Sequence, residues 1–161
     1  MAATRATQLL DRAGVRYRLH SYEHDPNAEA YGAAAAAALG VEPNRVFKTL
    51  VSAVEGGTRP VVVAIVPISA RLDLKALAAA VGGKRAAMSE AATAERLTGY
   101  VVGGISPLGQ KRRLPTVVDA SAEVWPTVFC SAGRRGLEIE LAAADLLRLT
   151  GASYAIIAQR T

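Results

Sequence analysis

Cysteine occurs once and histidine twice in 161 residues. One thiol cannot pair within its own chain, so a disulfide framework is excluded. A cysteine-rich zinc module fails for the same reason. Aromatic residues make up only 5%, and the single tryptophan, Trp125, reads as a packing residue rather than a base-stacking platform. The strongest apolar run, residues 61–66, is far short of the ~20 residues needed to span a bilayer. The first ten residues lack the apolar stretch of an export signal and read as a helix. A soluble cytoplasmic protein is therefore expected. Three motifs are also missing: a Walker A loop, a correctly spaced dinucleotide fingerprint and a Gly-x-Ser-x-Gly elbow.

About half of the residues are apolar, at 51%, which suits a single domain of this length with a sizeable core. No linker and no internal repeat is visible. Lys plus Arg is 19 and Asp plus Glu is 14, a net charge of +5. The excess weakly favours a polyanionic partner. The basic residues are spread evenly along the chain, so the fold must assemble any basic surface.

Five helix-forming runs each close on a glycine: residues 4–13, 28–39, 73–81, 89–98 and 142–150. Asp73 and Ser89 are expected N-caps, and Pro26 suits a first turn. Strand-like runs cover residues 17–23, 46–54, 60–66, 116–119, 124–131, 137–141 and 154–158, with weaker signals at 84–88 and 100–102. Residues 55–58 read as a hairpin turn. Strands and helices do not alternate one-to-one, which disfavours a doubly wound parallel sheet. The expected class is α/β, with a mixed, mainly antiparallel sheet and about five helices around it.

The most unusual segment runs from Tyr100 to Thr116. Gly103, Gly104 and Gly109 can expose backbone N–H groups to an anion or a carbonyl oxygen. Lys111, Arg112 and Arg113 follow at once and could hold phosphates. The plain alternative is a long connection with a solvated basic end. Lys48 lies in an apolar strand, where it either reaches an edge or enters a cleft as a cation for an anionic or carbonyl-bearing substrate. His20 and His24 complete no metal cluster. Cys130, with no adjacent cation, reads as a buried, inert thiol. Glu138 and Glu140 share a strand face, which is usually solvated but could instead sit in a cleft, and Arg134-Arg135-Gly136 reads as a basic turn.

Several segments together resemble the YbaK/EbsC family of aminoacyl-tRNA deacylases, related to the editing domain inserted in bacterial prolyl-tRNA synthetases. They are Tyr22-Glu-His-Asp-Pro26, Val46-Phe-Lys-Thr-Leu50, Leu72-Asp-Leu-Lys75, the stretch from Thr98 to Thr116, and Ser131-Ala-Gly-Arg-Arg-Gly-Leu-Glu-Ile-Glu-Leu141. They span nearly the whole chain in order, and the match is nearest to the stand-alone Cys-tRNA(Pro) deacylase branch.

The resemblance implies one editing domain over residues 1–161, built as a closed, barrel-like sheet, with no metal or organic cofactor. It implies removal of cysteine from proline tRNA, with Cys-tRNA(Cys) as a further candidate substrate, often beside prolyl-tRNA synthetase. In the family the lysine of the Lys-Thr strand is central to activity; here it is Lys48, followed by Thr49. The Gly-x-x-x-Pro loop falls on Gly103 to Pro107, with Gly104 and Ser106 inside it. Further pocket positions fall on Tyr22, Tyr31, Ser131 and Glu138. Tyr31 stands where phenylalanine is common in the family, and Glu138 where aspartate is frequent. The substrate thiol is thought to attack its own carbonyl, which would explain a site without a Ser/His/Asp triad. Gly103 and Gly104 would then donate to the oxyanion, Lys48 would supply a cation, and Lys111, Arg112 and Arg113 would hold tRNA. Two rivals stay open: a deacylase for another small aminoacyl group such as Ala-tRNA(Pro), and a non-catalytic module that binds tRNA or a synthetase.

Overall fold

A computed structural model describes residues 3–23 and 31–159. In chain order the elements are α1 (Arg5–Ala13), β1 (Tyr17–Ser21), α2 (Tyr31–Leu39), β2 (Phe47–Glu55), β3 (Val61–Pro67), β4 (Arg71–Leu72), α3 (Leu74–Ala80), β5 (Arg85–Met88), α4 (Ala91–Thr98), β6 (Thr116–Asp119), β7 (Val128–Arg134), β8 (Leu137–Leu141), α5 (Ala143–Thr150), β9 (Ser153–Ala155) and β10 (Ala158–Gln159). Single turns of 3-10 helix occupy Pro43–Arg45 and Ala120–Val124.

The helix ends follow local chemistry. Thr4 caps α1 through a capping box with Thr7, and Gly14 closes it in the left-handed conformation at φ 66°. Asp73 caps α3 by accepting from Ala76 N–H at 3.0 Å. Ser89 does not cap α4, whose N-cap is Glu90; instead both its N–H and its hydroxyl donate to Val51 O at 3.0 Å. The N-terminal part of the run expected at 28–39, with Pro26 and His24, lies outside the described residues.

Three sheets form. β5-β2-β3-β6-β9 is mixed, with antiparallel β5/β2/β3 and parallel β3/β6/β9. β1-β8-β7 and β10-β4 are antiparallel. The fold is thus mixed α/β and mainly antiparallel. The ladders do not close into a barrel among the described residues; one isolated bridge, Val46 to Phe129, joins the two larger sheets.

β3 feeds both main cores. Val63 and Ile65 point into a cluster with Leu10, Phe47, Ile139 and Leu146, while Val62, Ala64 and Val66 point into a second cluster with Leu77 and Ile157. A strand buried on both faces reads as an unbroken apolar run, which is what residues 61–66 show. Two strand expectations are corrected. Residues 100–102 form no strand, because Tyr100 is drawn inward and its hydroxyl donates to Leu108 O at 2.6 Å. The run expected at 124–131 begins only at Val128, because Asp119 caps the 3-10 turn that ends at Val124.

Candidate active site

β2 creates an opening by being paired unevenly. β3 accompanies it over residues 47–53, but β5 only from Ser52 onward. In the β2–β3 ladder the even-numbered residues form the hydrogen-bonded pairs, since Ile68 N–H donates to Val46 O and Val54 N–H to Pro60 O, both at 2.8 Å. Odd-numbered residues therefore turn their backbone groups to the opposite edge. There Ser89 holds Val51 O, and the Val46–Phe129 bridge brings in β7 further back. Thr49 lies in the gap between, on an edge that no described strand covers.

A cavity of about 460 Å³ opens at this gap, within the usual range for a small-molecule site. Its wall includes Tyr22, Lys48, Thr49, Gly103, Ser131 and Glu138, residues that lie up to 116 positions apart in sequence. Burial lowers the Lys48 pKa from the ordinary lysine value, and the Arg71 charge lowers it further. No ion pair involves Lys48 among the described residues. Glu138 is 6% exposed on the central strand of its sheet, opposite both His20 and Ser131. Burial raises its pKa to about 8, so near neutral pH it is largely a neutral carboxylic acid. Glu138 Oε2 and Thr49 Oγ1 are buried without a hydrogen-bond partner among the described residues. Ser131 Oγ accepts from Gly133 N–H at 3.1 Å, which leaves its proton free to donate. The Tyr22 hydroxyl is shifted up by burial first and by the Glu138 charge second.

The glycine segment behaves differently from its reading in sequence. Gly103 has φ 92°, lines the cavity, and has no hydrogen bond to its N–H among the described residues. Gly104 N–H instead donates to Val101 O at 2.8 Å, so it is not a free oxyanion donor. Gly104 serves close approach: a Cβ there would lie 2.8 Å from Arg134 Cα. Ser106 is fully buried, with its hydroxyl accepting from Leu108 N–H at 3.2 Å, and lies outside the cavity wall. Pro107, Arg112 and Arg113 line a second cavity, while Lys111 packs beside Gly99. The Tyr31 side chain lies outside the described residues.

Two expectations about charge are corrected. Glu138 and Glu140 are not a solvated pair, since Glu140 binds His20 Nε2 at 3.0 Å and Thr127 Oγ1 at 2.6 Å. Burial raises the Glu140 pKa, but hydrogen bonds from Thr127 and His20 and the charges of His20 and Arg45 bring it below its ordinary value. Arg134 and Arg135 are more than a solvated turn. Arg134 lines the cavity, and Arg135 donates to Val102 O at 2.6 Å. Their part arises from a bulge between Ser131 and Arg134, for which Gly133 is the only hint in sequence. Cys130 is fully buried, and burial pushes its thiol pKa well up, with the Glu138 charge adding to the shift. Among the described residues no three His, Cys, Asp or Glu side chains group together as metal ligands, and no helix is long and apolar enough to cross a membrane.

Residues 25–149 match the family model of the aminoacyl-tRNA editing domain. The chain belongs to that family. It is 39% identical over 157 residues to EbsC of Enterococcus faecalis, named as a Cys-tRNA(Pro)/Cys-tRNA(Cys) deacylase, covering 96% of this chain and 92% of that one. It is 32% identical over 147 residues to the multifunctional Ser/Thr-tRNA deacylase ProXp-y of Escherichia coli, covering 90% and 86% of the two chains. A solved structure described as a trans-editing enzyme for prolyl-tRNA synthetase superposes with a TM-score of 0.80 at 26% identity, over 96% of this chain and 95% of the other. In this editing-domain chain, the Lys48 strand, the Gly103 loop and the Glu138 strand all fall within the matched region.

Proposed function

We propose that this chain is a single-domain aminoacyl-tRNA deacylase that acts in trans in the cytoplasm, with cysteinyl-tRNA(Pro) as its substrate. One observation carries the reading: Lys48 and Gly103, whose N–H has no acceptor among the described residues, line one cavity with Thr49, Ser131 and a largely neutral Glu138. An aminoacyl ester is already activated. Its hydrolysis needs positioning and stabilisation of the developing oxyanion more than a strong protein nucleophile. Lys48, partly stripped of water, and Gly103 N–H would provide that stabilisation. With a cysteinyl group, the substrate thiolate forms a C–S bond to its own carbonyl carbon. The C–O bond to the ribose breaks, and the departing 3′ oxygen takes a proton. Water then opens the cyclic thioester to free cysteine. A transient complex with prolyl-tRNA synthetase fits the modest +5 charge, since the synthetase would share the hold on tRNA.

A hydroxyl amino acid is the second reading. It is favoured by two polar atoms in the wall, Thr49 Oγ1 and Glu138 Oε2, that have no partner among the described residues and that a seryl or threonyl hydroxyl would satisfy. Water would then be the nucleophile. Deacylation of cysteinyl-, alanyl-, seryl- and threonyl-tRNA, with and without prolyl-tRNA synthetase, separates the readings. The fastest turnover is expected on Cys-tRNA(Pro). Lys48→Ala should lower turnover at least ~100-fold with an unchanged melting profile. Near-normal turnover by that variant would remove Lys48 from the mechanism, and wild-type binding of all four tRNAs without release of amino acid would make the chain a binding module.

A further inference from the structure

The second cavity, about 420 Å³, has no role in the chemistry above. One wall is α1, where Arg5, Gln8, Leu9 and Arg12 recur at the spacing of a single helical face. The other wall carries Arg112 and Arg113. Four arginines thus line one hollow, and no Asp or Glu lines it among the described residues. None of the four is in an ion pair among the described residues. Asp11, next to Arg12 in sequence, is engaged by the Tyr17 hydroxyl at 2.8 Å.

The hollow is held in shape. A Cβ on Gly109 would lie 2.6 Å from Arg5 O, so the loop is pressed onto the start of α1. Arg5 Nε donates to Gly109 O at 2.9 Å, which uses one of its five N–H donors and fixes the rest. The lining donors are arginine, glutamine and threonine, with no aromatic ring to stack a base among the described residues. That chemistry suits the phosphate–ribose chain of a nucleic acid rather than a nucleobase.

The two cavities share the glycine segment. Gly103 and Ile105 face the first, and Pro107, Gly109 and Gln110 face the second. Gly103 and Gly109 are at most about 22 Å apart along the chain. At the ~3.4 Å rise per nucleotide of a duplex strand, the two cavities are thus separated by no more than about six nucleotides. We propose that this second cavity binds backbone phosphates near the 3′ end of the tRNA while the ester occupies the first, with Arg5 and Arg12 of α1 as one half of the clamp. The inference rests on the tRNA deacylase reading.

The test is binding of uncharged tRNA, followed by fluorescence anisotropy from 50 to 200 mM salt as about the useful range. The double variant Arg12→Ala with Arg113→Ala alters two exposed side chains and should keep the wild-type melting profile. Its affinity at low salt is expected to fall at least ~10-fold. Its plot of log affinity against log salt should flatten by roughly 0.7–0.9 for each phosphate that is no longer neutralised. Lysine at both positions should restore the slope. Unchanged affinity and slope would overturn the site. So would ATP or inorganic triphosphate displacing tRNA from it at equal concentration, which would make it a free-nucleotide site. Cysteinyl-adenosine, which has no phosphate, keeps the two proposals apart. A wild-type protein inert toward it and toward charged tRNA sinks the deacylase reading, whereas an active protein with unaltered double-variant binding sinks only the phosphate site.

Discussion

Glu138 is a carboxyl group in a place that favours its neutral form. Its folded pKa of about 8, raised by burial, lies above the ordinary value of 4.5. The native state therefore binds a proton that the unfolded chain releases between those two values. Stability is full below about pH 4.5 and declines as pH rises through about 8. The ceiling on that loss is about 5 kcal/mol, at ~1.4 kcal/mol for each tenfold change in proton affinity. Glu138→Gln keeps the shape and removes the titration, so its urea midpoint should be nearly flat from pH 5 to 8.5 while the wild type's falls. Parallel curves for the two proteins would mean that Glu138 is already ionised at neutral pH. Sequence left the Glu138–Glu140 face open between solvent and a cleft for a physical reason. Strand alternation says which residues share a face, and β1 and β7 on either side of β8 decide whether that face meets water.

At the scale of elements, the segment between α4 and β6 is braced rather than free. Arg135 ties Val102, Tyr100 reaches Leu108, and Gly104 touches the backbone of Arg134 and Arg135. Gly104→Ala would drive a Cβ to within 2.8–2.9 Å of three backbone atoms, none able to swing aside. The expected cost is about 1–3 kcal/mol of stability, together with a clear loss of turnover as Gly103 moves with the loop. Gly14→Ala is the control. Its Cβ meets nothing within 4 Å, so only the left-handed backbone cost of about 1–2 kcal/mol applies, and turnover should hold. Wild-type melting and turnover in Gly104→Ala would show that the contact yields easily. Helix ends were legible because Gly14, Gly99 and Gly151 mark them locally. β6 and β8 were legible because their apolar patterns have clean borders. The two-residue strands β4 and β10 carry no periodicity and exist only because they pair with each other. Lys48 and the Gly103 loop stood out as chemistry in an unusual setting. The open edge of β2 did not, since it depends on where β5 and β7 stop.

Across the whole molecule, Asp119 joins parts that sequence leaves unconnected. It is 4% exposed at the end of β6. Its Oδ1 accepts from Ile157 N–H at 3.0 Å and Ala158 N–H at 2.9 Å, and its Oδ2 from Ser121 N–H at 3.2 Å. Ile157 O in turn accepts from Asp73 N–H at 2.7 Å, at the cap of α3. One carboxylate thus links the five-stranded sheet to the β10–β4 pair and to the helix packed on the second core. Asp119→Ala would leave three N–H groups short of an acceptor, that of Ile157 at a buried position and those of Ala158 and Ser121 at half-buried ones. At about 1–3 kcal/mol for each buried donor left unsatisfied, a loss of roughly 2–5 kcal/mol is expected. Asp119→Asn retains an acceptor oxygen for the Ile157–Ala158 pair and should lose clearly less. Asp119 lines neither cavity, so residual turnover per folded molecule should stay near wild type in both variants. Urea unfolding with an unchanged slope and a lowered midpoint is the expected signature, because the same surface is exposed on unfolding. A midpoint for Asp119→Ala equal to that of the wild type would show that water replaces the carboxylate and that the C-terminal strands are held by Ile157 packing alone.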